Sequence, residues 1–218
     1  LNNIYRKQNA RAVRLLAGLA APSQYMLDLH NKYGITCDYQ KAISNAVDVD
    51  IFSPTLNDIN NKQNIVLYAG DIREEKGINT LIRAVEGMNE IFLYLVGQGP
   101  LSKDIVQTDR VKIIPWVEQE KLYELMKKSK IVVLPSEWEE AFGRILIEGI
   151  ANGTIALGSN RGGIPEVLNN DSDFIFESGN ISALQERLQW VLDFSPEEYL
   201  TVLNRQKCWM NRYAKSFI

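Results

Sequence analysis

The sequence predicts an α/β fold in which a parallel sheet is covered by helices on both faces. Three observations point to it. Short apolar runs of strand length recur at Ile65–Ala69, Ile91–Val96, Val111–Ile114, Ile131–Leu134, Thr154–Leu157 and Phe174–Phe176. Strands that are continuously apolar belong to sheets buried on both sides. Segments with apolar residues at helical spacing lie between them, and strand–helix alternation is the pattern of parallel sheets. Polar, glycine-bearing loops follow Ala69, Val96 and Leu134. Right-handed crossovers bring those strand ends to one edge of the sheet, where ligands bind.

Taken in order, Leu1 to about Ala17 reads as a helix, basic on one side through Arg6, Lys7, Arg11 and Arg14. Gly18–Pro22 is a short apolar stretch of strand character. Ser23 suits the N-cap of a helix running to about Tyr33 and ended by Gly34. Asn57–Asn64 reads as a polar loop. Strand 65–69 leads to a helix marked by Ile78, Leu81, Ile82 and Val85. Strands 91–96 and 111–114 precede a helix carrying Leu122, Leu125 and Met126. Strand 131–134 precedes a helix over Arg144–Asn152, closed by Gly153. Strand 154–157 is followed by a short helix, Ile164–Leu168, and by strand 174–176. Asn180 caps a helix bearing Ile181, Leu184, Leu188, Val191 and Leu192. Ser195-Pro196 opens a last helix, with proline at a first-turn position that tolerates it.

Composition narrows the function classes. The chain has 218 residues and a formal net charge of −3, with acids and bases mixed along its length. Nucleic acid as the main partner would require a concentrated basic face, so no nucleic-acid role is expected. No apolar run reaches the roughly 20 residues of a membrane span, and no signal peptide opens the chain. Cys37 and Cys208 have neither metal nor framework spacing and read as free thiols of a reducing cytoplasm. His30 is the single histidine and reads as structural. That leaves no Ser–His–Asp set and no His/Cys/Asp cluster for a metal.

Pro135-Ser-Glu-Trp-Glu-Glu-Ala-Phe-Gly-Arg-Ile-Leu-Ile-Glu148 reads as strand end, acidic loop and helix. Glu140 and Glu148 flank a small-aromatic-glycine turn. A glycine at such a turn lets backbone N–H groups approach a ligand, and a helix N-terminus favours negative charge. A carboxylate just before it repels a bare phosphate and is better suited to accept hydrogen bonds from hydroxyls. Phosphate and hydroxyls side by side describe a nucleotide sugar. Glu148 sits in an apolar helix, where it must either face water or have a partner.

This stretch resembles the Glu-x7-Glu motif of retaining family 4 glycosyltransferases of the GT-B fold. Further segments resemble that family in the same order: Ser44-Asn45-Ala46-Val47-Asp48, Tyr68-Ala69-Gly70-Asp71-Ile72-Arg73-Glu74-Glu75-Lys76-Gly77, Val96-Gly97-Gln98-Gly99-Pro100 and Gly162-Gly163-Ile164-Pro165-Glu166-Val167. The likeness runs from about residue 18 to about residue 192. It implies a Rossmann-like nucleotide-binding domain over 43–195. It also implies a remnant of the acceptor-side domain and linker over 1–42, and a helix over 196–218 packing back toward the N-terminal half. Complete members are roughly twice as long, so a fragment or separately encoded half is expected.

The resemblance implies retaining, metal-independent transfer from a nucleotide-diphosphate sugar to an acceptor hydroxyl. No cofactor is expected. The acceptor, a glycan, lipid or small molecule, would be held by the other half, and peripheral membrane association stays open to the complete protein. Lys76 would stabilise the donor diphosphate and Glu140 would contact the donor sugar, making these the catalytic candidates. A solvated lysine in a charged turn and a merely acidic loop, with Glu137 and Glu139, are the alternatives. Gly70, Arg73, Gly97 and Gly99 would border the donor, and Trp116-Val117 the base, although Trp116 also reads as core packing. Phe142, Gly143, Arg144 and Ile145 would present the helix start to phosphate, and Glu148 would accept the ribose hydroxyls.

Two departures stand out. Asp71 occupies a position where the family usually has arginine, with Arg73 two residues on as a possible substitute, and Ala46 replaces a glycine. A non-enzymatic alternative is a nucleotide-binding module that depends on a partner chain, docking through apolar surface around residues 12 to 29.

Overall fold

The computed structural model describes residues 17–45, 47 and 51–214, with side chains through residue 210. Residues 1–16, which hold nearly all of the helix expected up to about Ala17, and Ala46 and Asp48 of the entry segment lie outside those residues. The remainder forms a six-stranded parallel sheet preceded by a small two-stranded unit.

The small unit consists of β1 (Leu19–Ala21), α1 (Gln24–Lys32) and β2 (Gln40–Ala42). β1 and β2 pair in parallel, with Leu19 opposite Gln40. Ser23 caps α1 as expected, its hydroxyl accepting from Met26 N–H, and Gly34 follows in the left-handed region. His30 Nδ1 lies 2.5 Å from the Met26 carbonyl, a bond within its own helix. The β2 strand carries little apolar signal: Gln-Lys-Ala does not announce a strand, and its pairing with β1 defines it.

The main domain runs α2 (Leu56–Asn60), β3 (Gln63–Ala69), α3 (Ile78–Glu86), β4 (Phe92–Val96), β5 (Val111–Ile114), α4 (Gln119–Lys128) and β6 (Ser129–Leu134). It continues with α5 (Arg144–Ala151), β7 (Ile155–Ser159), α6 (Ile164–Val167), β8 (Ile175–Phe176), α7 (Ile181–Leu192) and α8 (Pro196–Ala214). The sheet order is β5-β4-β3-β6-β7-β8, parallel throughout. Successive β3 side chains serve opposite faces. Ile65, Leu67 and Ala69 pack with Val96 and Met126 of α4, whereas Val66 and Tyr68 join the larger core with α3, α5, α7 and α8.

One expectation needs correction. The polar stretch expected as a loop over 57–64 contains α2 and the start of β3. Its first turn is a capping box: the Thr55 hydroxyl accepts from Asp58 N–H while the Asp58 carboxylate accepts from Thr55 N–H. That reciprocal pair satisfies orphan donors that a propensity reading of Asn-Asp-Ile-Asn overlooks, and Ile59 anchors the turn in the core. Through residue 210 the last helix packs against the sheet domain. Buried Gln206 of α8 accepts from Ala156 N–H and donates to Ala156 O, at 2.9 and 2.8 Å. The Tyr199 hydroxyl accepts from Ile155 N–H and donates to Lys130 O, bridging the starts of β6 and β7. A helix whose polar side chains complete strand backbones belongs to that sheet.

Candidate active site

The candidate site lies where the strand order reverses. From β3 the chain steps outward through β4 and β5, then returns to pair β6 on the other side of β3. The loops after β3 and β6 diverge above this point, and open α/β sheets bind ligands in such a gap. A cleft of ≈ 340 Å³ occupies it, with Gly70, Asp71, Lys76, Glu140, Gly143 and Ile145 among its walls.

Loop geometry fixes the two catalytic candidates against each other. A 3-10 turn over Glu74–Lys76 presents Lys76 Nζ at 2.5 Å from Glu140 Oε1, with side chains 23% and 17% exposed. Ser136 Oγ donates to the same carboxylate oxygen at 3.0 Å. Ser136 is itself held, its carbonyl accepting from Ser159 Oγ at 2.6 Å and Ser178 Oγ at 3.2 Å. Glu137 N–H and Trp138 N–H both donate to Glu75 O at 3.0 Å, tying the two loops together.

The neighbouring glutamates separate by role. Glu137 accepts from Thr80 Oγ1 at 2.6 Å. Glu139 accepts from the Tyr25 hydroxyl and lies near Arg161. Of the three, Glu140 is the one that borders the cleft. This is an arranged carboxylate, not one member of a solvated acidic loop, and Lys76 is correspondingly not a freely solvated lysine.

The far wall is the start of α5. Gly143 caps it with φ 100, a backbone state that side-chain-bearing residues adopt at a cost. The first N–H groups of a helix have no intrahelical acceptor, and Arg144 and Ile145 line the cleft at this point. Phe142 is buried beneath it. Glu148, one turn further, is only 8% exposed and pairs with Arg144 Nη2 at 3.1 Å. The partner demanded by its apolar helix is therefore Arg144, and Glu148 stands behind the cleft wall.

Asp71 borders the central cleft and two further hollows. One, of ≈ 500 Å³, is walled by Arg73, Gln98, Gly99, Ser102, Lys103 and Trp116. The other, of ≈ 430 Å³, is walled by Arg73, Glu75, Lys76 and Trp138. Arg73 Nε lies 3.6 Å from Asp71 Oδ2, both half-exposed. Trp116 is 52% exposed, so it faces the hollow and is not core packing, while Val117 packs beneath with Leu67 and Val96. Gly97 is buried, and a Cβ there would meet Gly70 O at 2.0 Å. It lets two loops touch and does not border any of these hollows.

Sequence reasoning passed over two participants. Trp138 is 62% exposed at the mouth of the third hollow; an aromatic among three glutamates was the available signal. Tyr68 lines the cleft and donates from its hydroxyl to Asp71 O at 2.7 Å. Burial first, and then the nearby Glu140 carboxylate, push that phenol's pKa upward, so it remains a donor. Its place inside a strand pattern hid this role. Among the described residues, no group of three or more His, Cys, Asp or Glu side chains is placed to hold a metal ion, and no helix is long and apolar enough to cross a membrane.

Comparison with known proteins identifies a family and a fold. The family model for glycosyl transferases group 1 matches residues 53–205. The chain is 26% identical over 206 residues to D-inositol 3-phosphate glycosyltransferase of Mycolicibacterium smegmatis, covering 85% of this chain and 46% of that protein. It is 29% identical over 140 residues to N-acetyl-alpha-D-glucosaminyl L-malate synthase of Bacillus anthracis, covering 59% and 36%. It thus spans less than half the length of these relatives. Among solved structures, sucrose-phosphate synthase from Thermosynechococcus elongatus superposes with a TM-score of 0.84 at 20% identity, covering 97% of this chain and 57% of that one. Anabaena Alr3699/HepE, in complex with UDP and glucose, gives 0.83 at 18% identity, covering 98% and 64%. At those identities the likeness is one of fold, and the fold is the Rossmann-like domain of GT-B glycosyltransferases.

Proposed function

Because this chain belongs to the glycosyl transferases group 1 family, we propose that it supplies the donor-binding half of a retaining glycosyltransferase. It would bind a nucleotide-diphosphate sugar whose sugar passes to an acceptor hydroxyl presented by a second domain. The observation that carries the reading is the Lys76–Glu140 pair facing the N-terminus of α5 across one cleft. Cation and helix start provide for phosphate, and the carboxylate provides for hydroxyls.

In this reading the diphosphate lies between Lys76 Nζ and the first N–H groups of α5. Charge growing on the leaving phosphate meets a preorganised cation and dipole, the kind of stabilisation that contributes most to such transfers. Lys76 and the helix start provide this positive potential, and no metal ion is assigned to the step. Glu140, already oriented by Lys76 and Ser136, accepts from sugar hydroxyls. Glu148 accepts from the ribose hydroxyls once Arg144 turns outward. The hollow at Trp116 takes the base. The acceptor and the rest of the cleft come from outside this domain, so the chain alone binds nucleotide and transfers sugar poorly.

Calorimetric titration with UDP, GDP and ADP tests the proposal. Binding of one of them, lost in Lys76→Ala and in Glu148→Ala, is expected and identifies the base. A folded chain that binds none of the three would sink the donor-site reading and favour a module completed by a partner chain.

A further inference from the structure

The Gly162-Gly163-Ile164-Pro165-Glu166 turn borders none of the three hollows described above, yet α1 meets the sheet domain there. Glu166 lies in α6, far from α1 in sequence but against its N-terminus. Its two carboxylate oxygens accept from two successive amides at the α1 N-terminus, Gln24 N–H at 2.8 Å and Tyr25 N–H at 2.5 Å. Ser23, which caps the same helix, also donates to Ala141 O at 2.7 Å. The Tyr25 hydroxyl donates to Glu139. From the turn itself, Gly163 N–H donates to Glu140 O at 2.7 Å.

The three residues Glu139, Glu140 and Ala141 are therefore each gripped, one by side chain and two by carbonyl. The grip needs the paired glycines. Gly162 has φ +59, and a Cβ on it would lie 2.1 Å from Glu140 O; a Cβ on Gly163 would lie 2.6 Å from Ala141 O and 2.9 Å from Ser23 Oγ. Any side chain at either position would push the turn off the loop. Capping a helix requires none of these loop contacts.

We infer that α1 and the 162–166 turn form a clamp that holds the loop bearing Glu140 in place, with Glu166 and Ser23 as its positioning residues. Its bearing on sugar transfer rests on the reading of Glu140 given above, but the clamp itself stands on the contacts. Glu166 fixes where α1 starts, Ser23 and Tyr25 carry that position to residues 139 and 141, and Glu140 between them inherits it. Displacing α1 would release the carboxylate from its register with Lys76.

The test is amide hydrogen exchange on the full chain, comparing the parent with Glu166→Ala, Glu166→Gln and Ser23→Ala. Glu166→Ala should speed exchange at residues 24–26 and at 139–143, by roughly tenfold or more for loss of a charge-assisted bond, with β3 and β4 unchanged. Ser23→Ala should act more weakly on 139–143. Glu166→Gln keeps shape and one acceptor oxygen, and it should fall between parent and alanine variant; it reports the clamp if the alanine variant loses its fold. Faster exchange confined to 23–27 in these variants, with 139–143 unmoved, would overturn the inference and reduce Glu166 to a helix cap. Parallel titration with UDP, GDP and ADP keeps the two readings apart. A clamp-positive chain that binds no nucleotide overturns the donor-site reading alone.

Discussion

Replacing Lys76 with methionine keeps the side chain's length and removes its charge, leaving Glu140 with Ser136 as its side-chain donor among the described residues. An exposed ion pair contributes about 0.2–1 kcal/mol, and breaking a buried one costs about 3–5 kcal/mol. With side chains 23% and 17% exposed, this pair falls between, and solvent screening brings the expected cost of Lys76→Met to about 2 kcal/mol. In urea, with m near 2 kcal/mol/M, the unfolding midpoint should fall by about 1 M. Glu140→Gln alone should cost less, because Lys76 can turn to water. The double variant should be less destabilised than the sum of the two, with coupling of about 1–2 kcal/mol. Calorimetry on the same proteins should show nucleoside diphosphate binding weakened by roughly 10- to 150-fold in Lys76→Met, but not in Glu140→Gln. Single effects below about 0.5 kcal/mol that simply add would refute the claim that the two loops are locked together. Equal loss of nucleotide in both variants would refute the division of labour between phosphate and sugar.

Three further outcomes follow from the structure. Asp71→Arg removes a carboxylate bordering the cleft and frees Arg73, so nucleotide should bind several-fold tighter and with a steeper salt dependence; unchanged affinity by calorimetry would mean that Asp71 does not face the phosphates. Lys62 is 8% exposed, donates to Lys127 O and Ser129 O, and is pushed down to about 7 by burial. Between that value and its ordinary one near 10.5 the unfolded chain binds the extra proton, so stability should rise with pH across that window, by at most about 1.4 kcal/mol per unit. Lys62→Met should flatten this rise in urea titrations, and an unaltered pH profile would exclude Lys62 as its source. Tyr199→Phe strands Ile155 N–H and Lys130 O in the core, an expected loss of about 1–3 kcal/mol read as a lower Tm; a change within error would mean water replaces the hydroxyl.

The sheet was legible because six apolar runs with helical segments between them admit few other arrangements, and Ser23, Asn180 and Gly34 mark helix ends by local chemistry alone. What escaped was set by partners distant in sequence. Gln40–Ala42 is a strand because β1 lies beside it, and α2 is a helix because Thr55 and Asp58 satisfy one another. At the candidate site, the family resemblance singled out Lys76, Glu140 and Glu148, whose residue types alone left a solvated lysine and an acidic loop open. Neither resemblance nor residue type showed that Lys76 and Glu140 pair directly, that Arg144 rather than water answers Glu148, or that Gly97 serves loop packing. Those facts depend on how the loops after β3, β4 and β6 meet, which spacing along one chain does not encode. The roles of Glu137 and Glu139 were hidden for the same reason, because Thr80 and Tyr25 lie far away in sequence.

The amide of Gln206 has a consequence beyond local bonding. β8 pairs with β7 only at Gly158 and Ser159, so among the described residues no strand lies beside the earlier backbone of β7 on that side. Gln206 stands in for one, offering Ala156 a donor and an acceptor from a helix. Remove α8, by proteolysis or by ending the chain near residue 195, and an apolar strand edge opens to solvent, a template onto which another chain can add. The final helix thereby covers an edge that would otherwise invite strand addition, and shortened forms should be judged first by whether they aggregate.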